Sequence, residues 1–343
     1  MNDDTVIELE GVNGEWFTLS GPDAGAKGFY LGVGPKGLFE PAVKTTYEEP
    51  GNFPGSRFLN YRVLRRDIVL PILIEGTGDY WAGRDGGLRK ALAYDKDAYI
   101  HITTPESGHR KLKVRLGGQD ASGPAIDIEF DIDPHMPGVN LAKVSLIAGD
   151  PFWYQDDVVY SVVTQADTTF QPTIFEGLFN FWWQPQEYLA ITVDPVDGKG
   201  GLNPTDMYVA PKWIVPGSQE AIPGITIPIV DITVNVPWDR APFSQFSIPD
   251  YSFEDPSMAN RNVVTPGLLI GEDCVIDTDP RVEQFSAANG GQVWARTNGV
   301  RFLNQIPPYT KSKTFYLIAS GCRPGQMITL RIPRPWSRPW GLE

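Results

Sequence analysis

Glycine and proline interrupt this chain so often that few of its segments are long enough to form a helix. The 343 residues include 35 glycines and 31 prolines. Between them lie short segments in which apolar residues alternate with polar ones, a pattern typical of strands with one buried face. Clusters of turn-forming residues separate these segments. We therefore predict a mainly β protein, made of many short strands joined by tight turns.

The pattern changes about halfway along the chain, which predicts two domains. We expect a β-sandwich-like N-terminal domain at 1–154, a linker at 155–174, and a C-terminal domain at 175–343, whose last residues could return to the first domain. In the second domain, strand signals recur at intervals of roughly 8–15 residues, which indicates a β-sandwich or jelly roll. Pro71, in the strong strand signal "YRVLRRDIVLPILIEG", favours an edge strand or a bulge at that point.

One helix is predicted, in the segment "GRDGGLRKALAYDKDAY" of the first domain. Leu88, Ala91 and Leu92 are spaced to form one apolar helix face. Asp85 is expected at the N-cap because a short acidic side chain can accept the first free backbone amides.

The net charge of −13 limits the partners of the chain. An acidic surface argues against general binding to the nucleic-acid backbone, which needs clustered basic residues. It can suit a conduit to which passing nucleic acid must not adhere. We see no signal peptide at the start and no apolar run of about 20 residues, so we expect no membrane insertion.

Residue types that usually carry catalysis or bind metals are sparse. Cys274 and Cys322 form no Cys-x-x-Cys pair, and we expect each to be a small buried residue. The three histidines are scattered without a neighbouring nucleophile signal: His101, His109 and His135. The glycine pattern "GVGPKG" (32–37) is interrupted by Pro35 and is interpreted as a loop. We therefore predict no catalytic residue, no cofactor and no metal site.

The segment "AIDIEFDID" (125–133) predicts a strand with one apolar and one acidic face. The apolar face comprises Ile126, Ile128, Phe130 and Ile132, and the acidic face comprises Asp127, Glu129, Asp131 and Asp133. The acidic face could be an ordinary solvated surface or the lining of an aqueous channel that repels nucleic acid. A calcium site is a third alternative, less consistent with a flat strand.

Two further segments are predicted to make contacts. "KTTYEEPGNFPGSRF" (44–58) is rich in turn residues and is interpreted as an exposed arm that reaches a neighbouring subunit. The arm residues of interest are Tyr47, Pro50, Phe53 and Arg57. In "AGDPFWYQDD" (148–157), Asp150-Pro151 ends a strand. Phe152, Trp153 and Tyr154 are then expected to pack the linker onto the first domain and fix the angle between the domains. The aromatic cluster "FNFWW" (179–183) is interpreted as core, with a ligand platform as the alternative.

Several segments, taken in order, resemble the distal tail proteins of phages with long non-contractile tails. They are "RRDIVLPILIEG" (65–76), "GLRKAL" (87–92), "HRKLKVRLGG" (109–118), "AGDPFWYQDD" (148–157), "NPTDMYVAPKWIVPG" (203–217), "GEDCVIDTDPR" (271–281) and "IPPYTKSKTFYL" (306–317). The general pattern is most similar to versions from phages of actinobacteria. The resemblance implies a ring-forming first domain and a galectin-like jelly roll as the second.

The resemblance also implies a function and a set of partners. It implies a homohexameric structural protein at the distal end of the tail, assembled in the host cytoplasm, without catalytic residues. The ring would join the tail tube to the tail tip, near the tape measure protein and downstream tail-tip proteins, and would let DNA pass. A host-surface glycan is a further possible partner, although no inserted carbohydrate-binding module is visible. Two alternatives stay open: a carbohydrate-binding adhesin, and a β-sandwich glycoside hydrolase, whose paired carboxylates leave no sequence signature.

Overall fold

The computed structural model describes residues 4–49, 51, 54–76, 79–117, 124–128, 138–169, 185–219 and 243–342. The chain divides into two compact units, each with its own hydrophobic core. The first unit comprises Met1–Asp156 and Pro335–Glu343, and the second comprises Asp157–Arg334. The second unit is therefore inserted, in sequence, between two parts of the first.

Antiparallel strands and one α-helix form the described part of the first unit. The elements are β1 (Val6–Glu10), β2 (Trp16–Ser20), β3 (Phe29–Leu31), β4 (Val43–Glu48), β5 (Arg57–Val63), β6 (Arg66–Gly76), α1 (Asp79–Ala91), β7 (Ala98–Thr104), β8 (Gly108–Leu116), β9 (Ile126–Ile128), β10 (Gly138–Ala148) and the start of β11 (Trp153–Val163). The chain returns to this unit at the end of β19 (Met327–Trp336). Strands β7 and β8 form the hairpin that the sequence indicates, and β6 pairs with β10 along eleven residues.

Strand β6 shows how proline can be accommodated inside a sheet. Pro71 lies in a strand with neighbours on both sides, β3 and β10, so β6 is not the edge strand that Pro71 favoured. The Pro71 carbonyl accepts a hydrogen bond from Gly32 N at 2.7 Å. In a strand the N–H and C=O of one residue point to the same side. The N–H that Pro71 lacks would therefore point toward the chain just past the last residue of β3. Proline at this point interrupts no regular pair of the β3–β6 ladder.

Helix α1 begins at Asp79, seven residues before the first helical position that an N-cap at Asp85 would give. Leu88 and Ala91 of the predicted apolar face are buried, and Trp81 in the first turn is buried with them. Leu92 is also buried but follows the last residue of the helix. Asp85 is not the N-cap. It lies within the helix, where its carboxylate accepts a hydrogen bond from Arg89 Nε at 2.7 Å, one turn later.

The second unit is a sandwich of two sheets. Its elements are the remainder of β11, β12 (Gln186–Val193), β13 (Lys212–Val215), β14 (Gln245–Pro249), β15 (Asn262–Val264), β16 (Cys274–Asp277), β17 (Phe285–Ala287), β18 (Lys313–Ser320), most of β19, and short 3₁₀ turns at Pro195–Asp197, Pro256–Met258 and Val293–Arg296. One sheet has the order β12-β18-β14-β15, and the other includes β17-β16-β13-β19. Alternate residues of both sheets meet in a shared core.

Two segments are more regular than the sequence suggested. Residues 153–163 form strand β11, so the first part of the predicted 155–174 linker is a strand rather than an irregular connection. Strands β4 and β5 pair in antiparallel register, so the predicted arm overlaps a β-hairpin formed by Val43–Glu48 and Arg57–Val63. In both cases backbone pairing supplies the regularity that the side-chain pattern does not show.

Candidate assembly surfaces

The β4–β5 hairpin projects its side chains into solvent. Every side chain of β4 is exposed, and in β5 all except Val63 are exposed. A two-stranded hairpin without other support is at best marginally stable in water. The hairpin therefore has the properties of a segment that is stabilised by a partner.

The two faces of the hairpin differ in chemistry. One face carries apolar and aromatic side chains, namely Val43, Tyr47, Phe58, Tyr61 and Val63, as the cross-strand pairs show. Phe58 is 50% exposed and Tyr61 59% exposed, although Tyr47 and Phe58 contact each other edge to face, with ring centroids 5.7 Å apart. This set is called the aromatic face below. An aromatic face left open to water is typical of a protein interaction site.

The opposite face of the hairpin is polar and predominantly basic. Across the two strands, three basic side chains (Lys44, Arg57, Arg62) stand against one acid, Glu48, a net charge of +2. The whole chain carries −13. The two strands of the hairpin are thus complementary in charge to the acidic surface of a second copy of this chain. Of the predicted arm residues, Tyr47 lies on the aromatic face and Arg57 on the basic face, whereas Pro50 and Phe53 lie outside the described residues.

The predicted aromatic trio lies at the start of β11. Trp153 is fully buried in the core of the first unit, and Phe152 and Tyr154 are partly buried. The Tyr154 hydroxyl donates to Asp150 Oδ2 at 2.8 Å. Trp153 therefore anchors the start of β11 in the core of the first unit.

The predicted acidic face is described at one position. Asp127 is exposed on β9 and stands opposite Lys143 of β10. Ile126 is buried on the other side of the strand, as expected. Glu129, Asp131 and Asp133 lie outside the described residues, as do Phe130 and Ile132.

Two buried arginines, which the sequence did not single out, hold the C-terminal segment in the first unit. Arg66 Nε donates to Pro151 O at 2.5 Å, and an Arg66 Nη donates to Ser337 O. Arg110 Nη1 donates to Arg338 O at 2.9 Å and to Gly341 O at 3.3 Å. Burial lowers the pKa of Arg66 to about 10, a shift that nearby Glu40 opposes, and Arg66 stays protonated at neutral pH. We call these two arginines and residues 335–342 the C-terminal latch.

Stacking adds to the hydrogen bonds of the latch. The Arg110 guanidinium lies 3.9 Å from the centre of the buried Trp336 ring, a cation–π contact. Trp336 Nε1 donates to Gln155 Oε1 at 2.9 Å. A sequence signal for this arrangement is weak, because arginine is normally assigned to the surface.

The histidines and cysteines have structural surroundings. His101 Nδ1 lies 2.9 Å from His109 Nε2, and His101 Nε2 lies 3.0 Å from Glu10 Oε2. Both thiols are free and buried, and burial raises the pKa of Cys274 to about 11 and of Cys322 to about 12. Among the described residues, no group of three histidine, cysteine or acidic side chains could hold a metal ion. His135 lies outside those residues.

No helix within the described ranges is long and apolar enough to cross a membrane. The loop at 32–37 is followed by bends and then β4 rather than by a helix, as the loop interpretation required. Gly37 has a φ of 68° in this loop, and an added Cβ would lie 2.1 Å from Asp67 O.

Comparison with solved structures identifies the class of fold. The structure of the SPP1 Dit protein (gp 19.1), described as a paradigm of the hub adsorption apparatus in phages that infect Gram-positive bacteria, superposes with a TM-score of 0.54. The match covers 96% of this chain and 98% of that chain at 13% identity. The predicted mainly β fold is confirmed, and it is the fold of a phage hub protein. No protein-family model matches the chain.

Two known proteins show the family. Minor tail protein Gp27 of Mycobacterium phage D29 is 50% identical over 352 aligned positions, and the match covers 99% of each chain. Minor tail protein Gp27 of Mycobacterium phage L5 is 48% identical over 345 positions with the same coverage. The chain belongs to this family of phage minor tail proteins and is a structural component of a phage tail. The resemblance to phage tail proteins noted in the sequence is confirmed.

Proposed function

We propose that this protein is a homohexameric adaptor at the distal end of the tail, between the tail tube and the tail tip. Membership of the minor tail protein family and the Dit-like fold support a tail role. The ring and its place in the tail are the proposal. In it, the neighbours are the tail tube protein, the tape measure protein and downstream tail-tip proteins, and the mature location is the virion.

The exposed β4–β5 hairpin is the observation that carries this proposal. Its aromatic face needs a surface to cover it, and its net positive charge suits the acidic surface of a second copy of the chain. A contact in which one subunit's hairpin docks on a different surface of the next is heterologous, and such contacts form a ring when the rotation between subunits closes and an open filament when it does not. Pairing every hairpin in a closed ring leaves none exposed.

The acidic residues fit a channel through which DNA moves without adhering. In a ring, Asp127, Glu129, Asp131 and Asp133 would recur around the axis, and their negative potentials would add, offset in part by Lys143 opposite Asp127. Trp153 would hold the start of β11 in the ring domain, at the point where the chain continues into the second unit. That unit would offer the docking surface for tail-tip proteins. No enzymatic activity is proposed.

Charged substitutions on the aromatic face of the hairpin test the assembly. Phe58→Asp combined with Tyr61→Asp should convert the hexamer into folded monomers, because a buried interface would then contain unpaired carboxylates. Size-exclusion chromatography with light scattering measures the mass, and circular dichroism verifies that the subunit is folded. The variants leave the hydrophobic core of the first unit intact, since both side chains are exposed.

A matched control changes the opposite face of the hairpin and leaves its charge unchanged. Thr46→Gln combined with Asn60→Gln alters an exposed cross-strand pair of the same hairpin. The control should remain hexameric. If the wild type is monomeric at micromolar concentration, or if the aromatic-face variant keeps the mass of the hexamer, the proposed ring contact is wrong. A monomeric or trimeric wild type would favour the carbohydrate-binding adhesin.

A further inference from the structure

The four-stranded sheet of the second unit presents an outer face without charge. Its inner face supplies core residues such as Ile191, Phe246 and Leu317. Because successive strand residues alternate between faces, the even-numbered residues of β12 and β18 point outward. The accessible residues of the outer face are Gln186, Tyr188, Ala190, Thr192, Gln245, Ser247, Asn262, Val264, Thr314, Tyr316 and Ile318. This set is called the neutral face.

The absence of charge on the neutral face is notable in a chain with 71 charged residues among 343. The four strands contain two charged side chains, and both are held away from this face. Glu187 accepts hydrogen bonds from the backbone amides of Gln165 and Ala166. The Lys313 ammonium lies 4.9 Å from the centre of the Tyr251 ring. An ordinary solvated sheet face in an acidic protein would carry carboxylates.

Two tyrosines dominate the neutral face. Tyr188 is 76% exposed and Tyr316 is 63% exposed, among the more exposed aromatic side chains of the molecule. Tyr188 stands opposite Ile318, and Tyr316 stands opposite Ala190. The two rings are thus diagonal neighbours on adjacent strands, about 7–8 Å apart at their backbones. A small residue beside Tyr316 leaves that ring open on one side.

Hydroxyl and amide groups surround the tyrosines. The hydroxyls of Thr192 and Thr314 lie 3.1 Å apart across the strands, and Gln186 and Asn262 lie toward opposite corners. Each of these groups both donates and accepts hydrogen bonds. Rings for the apolar faces of a ligand, together with neutral groups of both hydrogen-bonding types, match a polyhydroxylated molecule.

We infer that the neutral face binds a neutral polysaccharide. Sugar rings would pack their C–H faces on Tyr188 and Tyr316, and sugar hydroxyls would exchange hydrogen bonds with the threonine and amide side chains. The lack of basic residues disfavours acidic glycans, and the lack of carboxylates avoids burying an unpaired charge. Protein hot spots are enriched in tryptophan, tyrosine and arginine, and of these three types the neutral face carries only tyrosine. A protein partner is the other occupant that the experiment must distinguish. The inference depends on the proposed function in one respect: a protein at the tail tip meets the polysaccharides of a cell surface.

Affinity electrophoresis of the full chain through gels containing defined polysaccharides tests this inference. The neutral probes are dextran, a galactan and a mannan, and the anionic probe is dextran sulfate. We expect at least one neutral probe, and not the anionic one, to retard the protein. Tyr188→Ala and Tyr316→Ala should each weaken the interaction on the order of tenfold, which is the loss of one aromatic contact. Tyr316→Phe should retain most of the binding.

Trp294→Ala is the matched control, because Trp294 is an exposed aromatic residue on a 3₁₀ turn that contacts β17 of the other sheet. It should not change retardation. The inference is overturned if no neutral probe retards the wild type. It is also overturned if the tyrosine variants are retarded as strongly as the wild type. If the tyrosine variants instead change the oligomeric mass, the neutral face is a protein interface. Light scattering on the same samples measures the oligomeric mass. A loss of mass in the tyrosine variants identifies the neutral face as a protein interface, whereas a wild type that forms no hexamer contradicts the ring contact of the hairpin.

Discussion

At the scale of single residues, the neighbours of His101 determine which of its two ring nitrogens carries the proton. An ionised Glu10 can only accept, so His101 must donate from Nε2. The Nδ1 of neutral His101 is then an acceptor, and His109 Nε2 must donate to it. The exposed Trp16 ring lies tilted against His101 with ring centroids 4.5 Å apart. Glu8 and Lys111 stand opposite His101 on the adjacent strands.

Burial lowers the pKa of His101 below its ordinary 6.5, with the positive charge of a protonated His109 acting in the same direction and the hydrogen bond to Glu10 opposing. Folding therefore favours the neutral imidazole. The contribution of His101 to stability is complete above pH 6.5 and is lost as the pH falls through the folded-state pKa. We predict that the difference in unfolding free energy between the wild type and His101→Gln decreases from about pH 8 to about pH 5, as measured by urea denaturation. A difference that is constant or grows on acidification would contradict this sign.

At the scale of elements, helix α1 contains glycines that its packing does not require. Gly83 is exposed, has no positive φ, and has no neighbouring atom within 4 Å of an added Cβ. We predict that Gly83→Ala raises the unfolding free energy by about 0.4–1 kcal/mol, since alanine reduces the entropy of the unfolded chain. Gly37→Ala is the contrasting variant and should destabilise, because its φ is positive and Asp67 O occupies the Cβ position. Equal effects of the two variants on urea denaturation would refute the distinction.

The same elements show what the sequence could and could not predict. The β7–β8 hairpin, the β6 strand and the apolar face of α1 follow from period and turn chemistry alone. The start of α1 was missed because Gly83, Gly86 and Gly87 weaken the helix signal, whereas burial of Trp81 in the tertiary structure compensates for them.

Long-range contacts were beyond the sequence for a different reason. The hydrogen bonds of the C-terminal latch join residues 228 to 271 positions apart, and no local pattern encodes such contacts. The amphipathic character of the β4–β5 hairpin was hidden by a register shift opposite Thr46 and Tyr47, where Leu59 is the extra residue of β5 and breaks the simple alternation of that strand. The exposure of the segment, in contrast, could be predicted from its turn residues.

At the scale of the whole molecule, the path of the chain makes the first unit depend on residues that follow the second. The chain leaves the first unit in β11 and returns to it through β19. Residues 335–342 supply Trp336 to the first core and supply carbonyl acceptors to Arg66 and Arg110. Synthesis of the second unit must therefore be complete before the first unit can close.

Truncation after Arg334 tests this dependence. The truncation leaves two buried guanidinium groups without several of their acceptors, at a cost of about 3–5 kcal/mol for a broken buried charge contact. Loss of Trp336 from the core costs about 3–5 kcal/mol more. These costs rival the total stability of a typical domain, so we predict that the first unit unfolds. The second unit has its own core and should stay folded, because the truncation removes none of that core.

Limited proteolysis followed by mass spectrometry distinguishes the two units. In the truncated protein, residues 1–156 should be digested, while a resistant fragment near 157–334 persists. Truncation after Gly341 is the control, because it keeps Trp336 and the acceptor carbonyls of Ser337 and Arg338, and it should be as resistant as the full chain. Equal resistance of both units after truncation at Arg334 would show that the latch is not required for folding. Because the hairpin that carries the proposed ring contact lies in the first unit, the truncated protein should also fail to form hexamers while its neutral face remains intact.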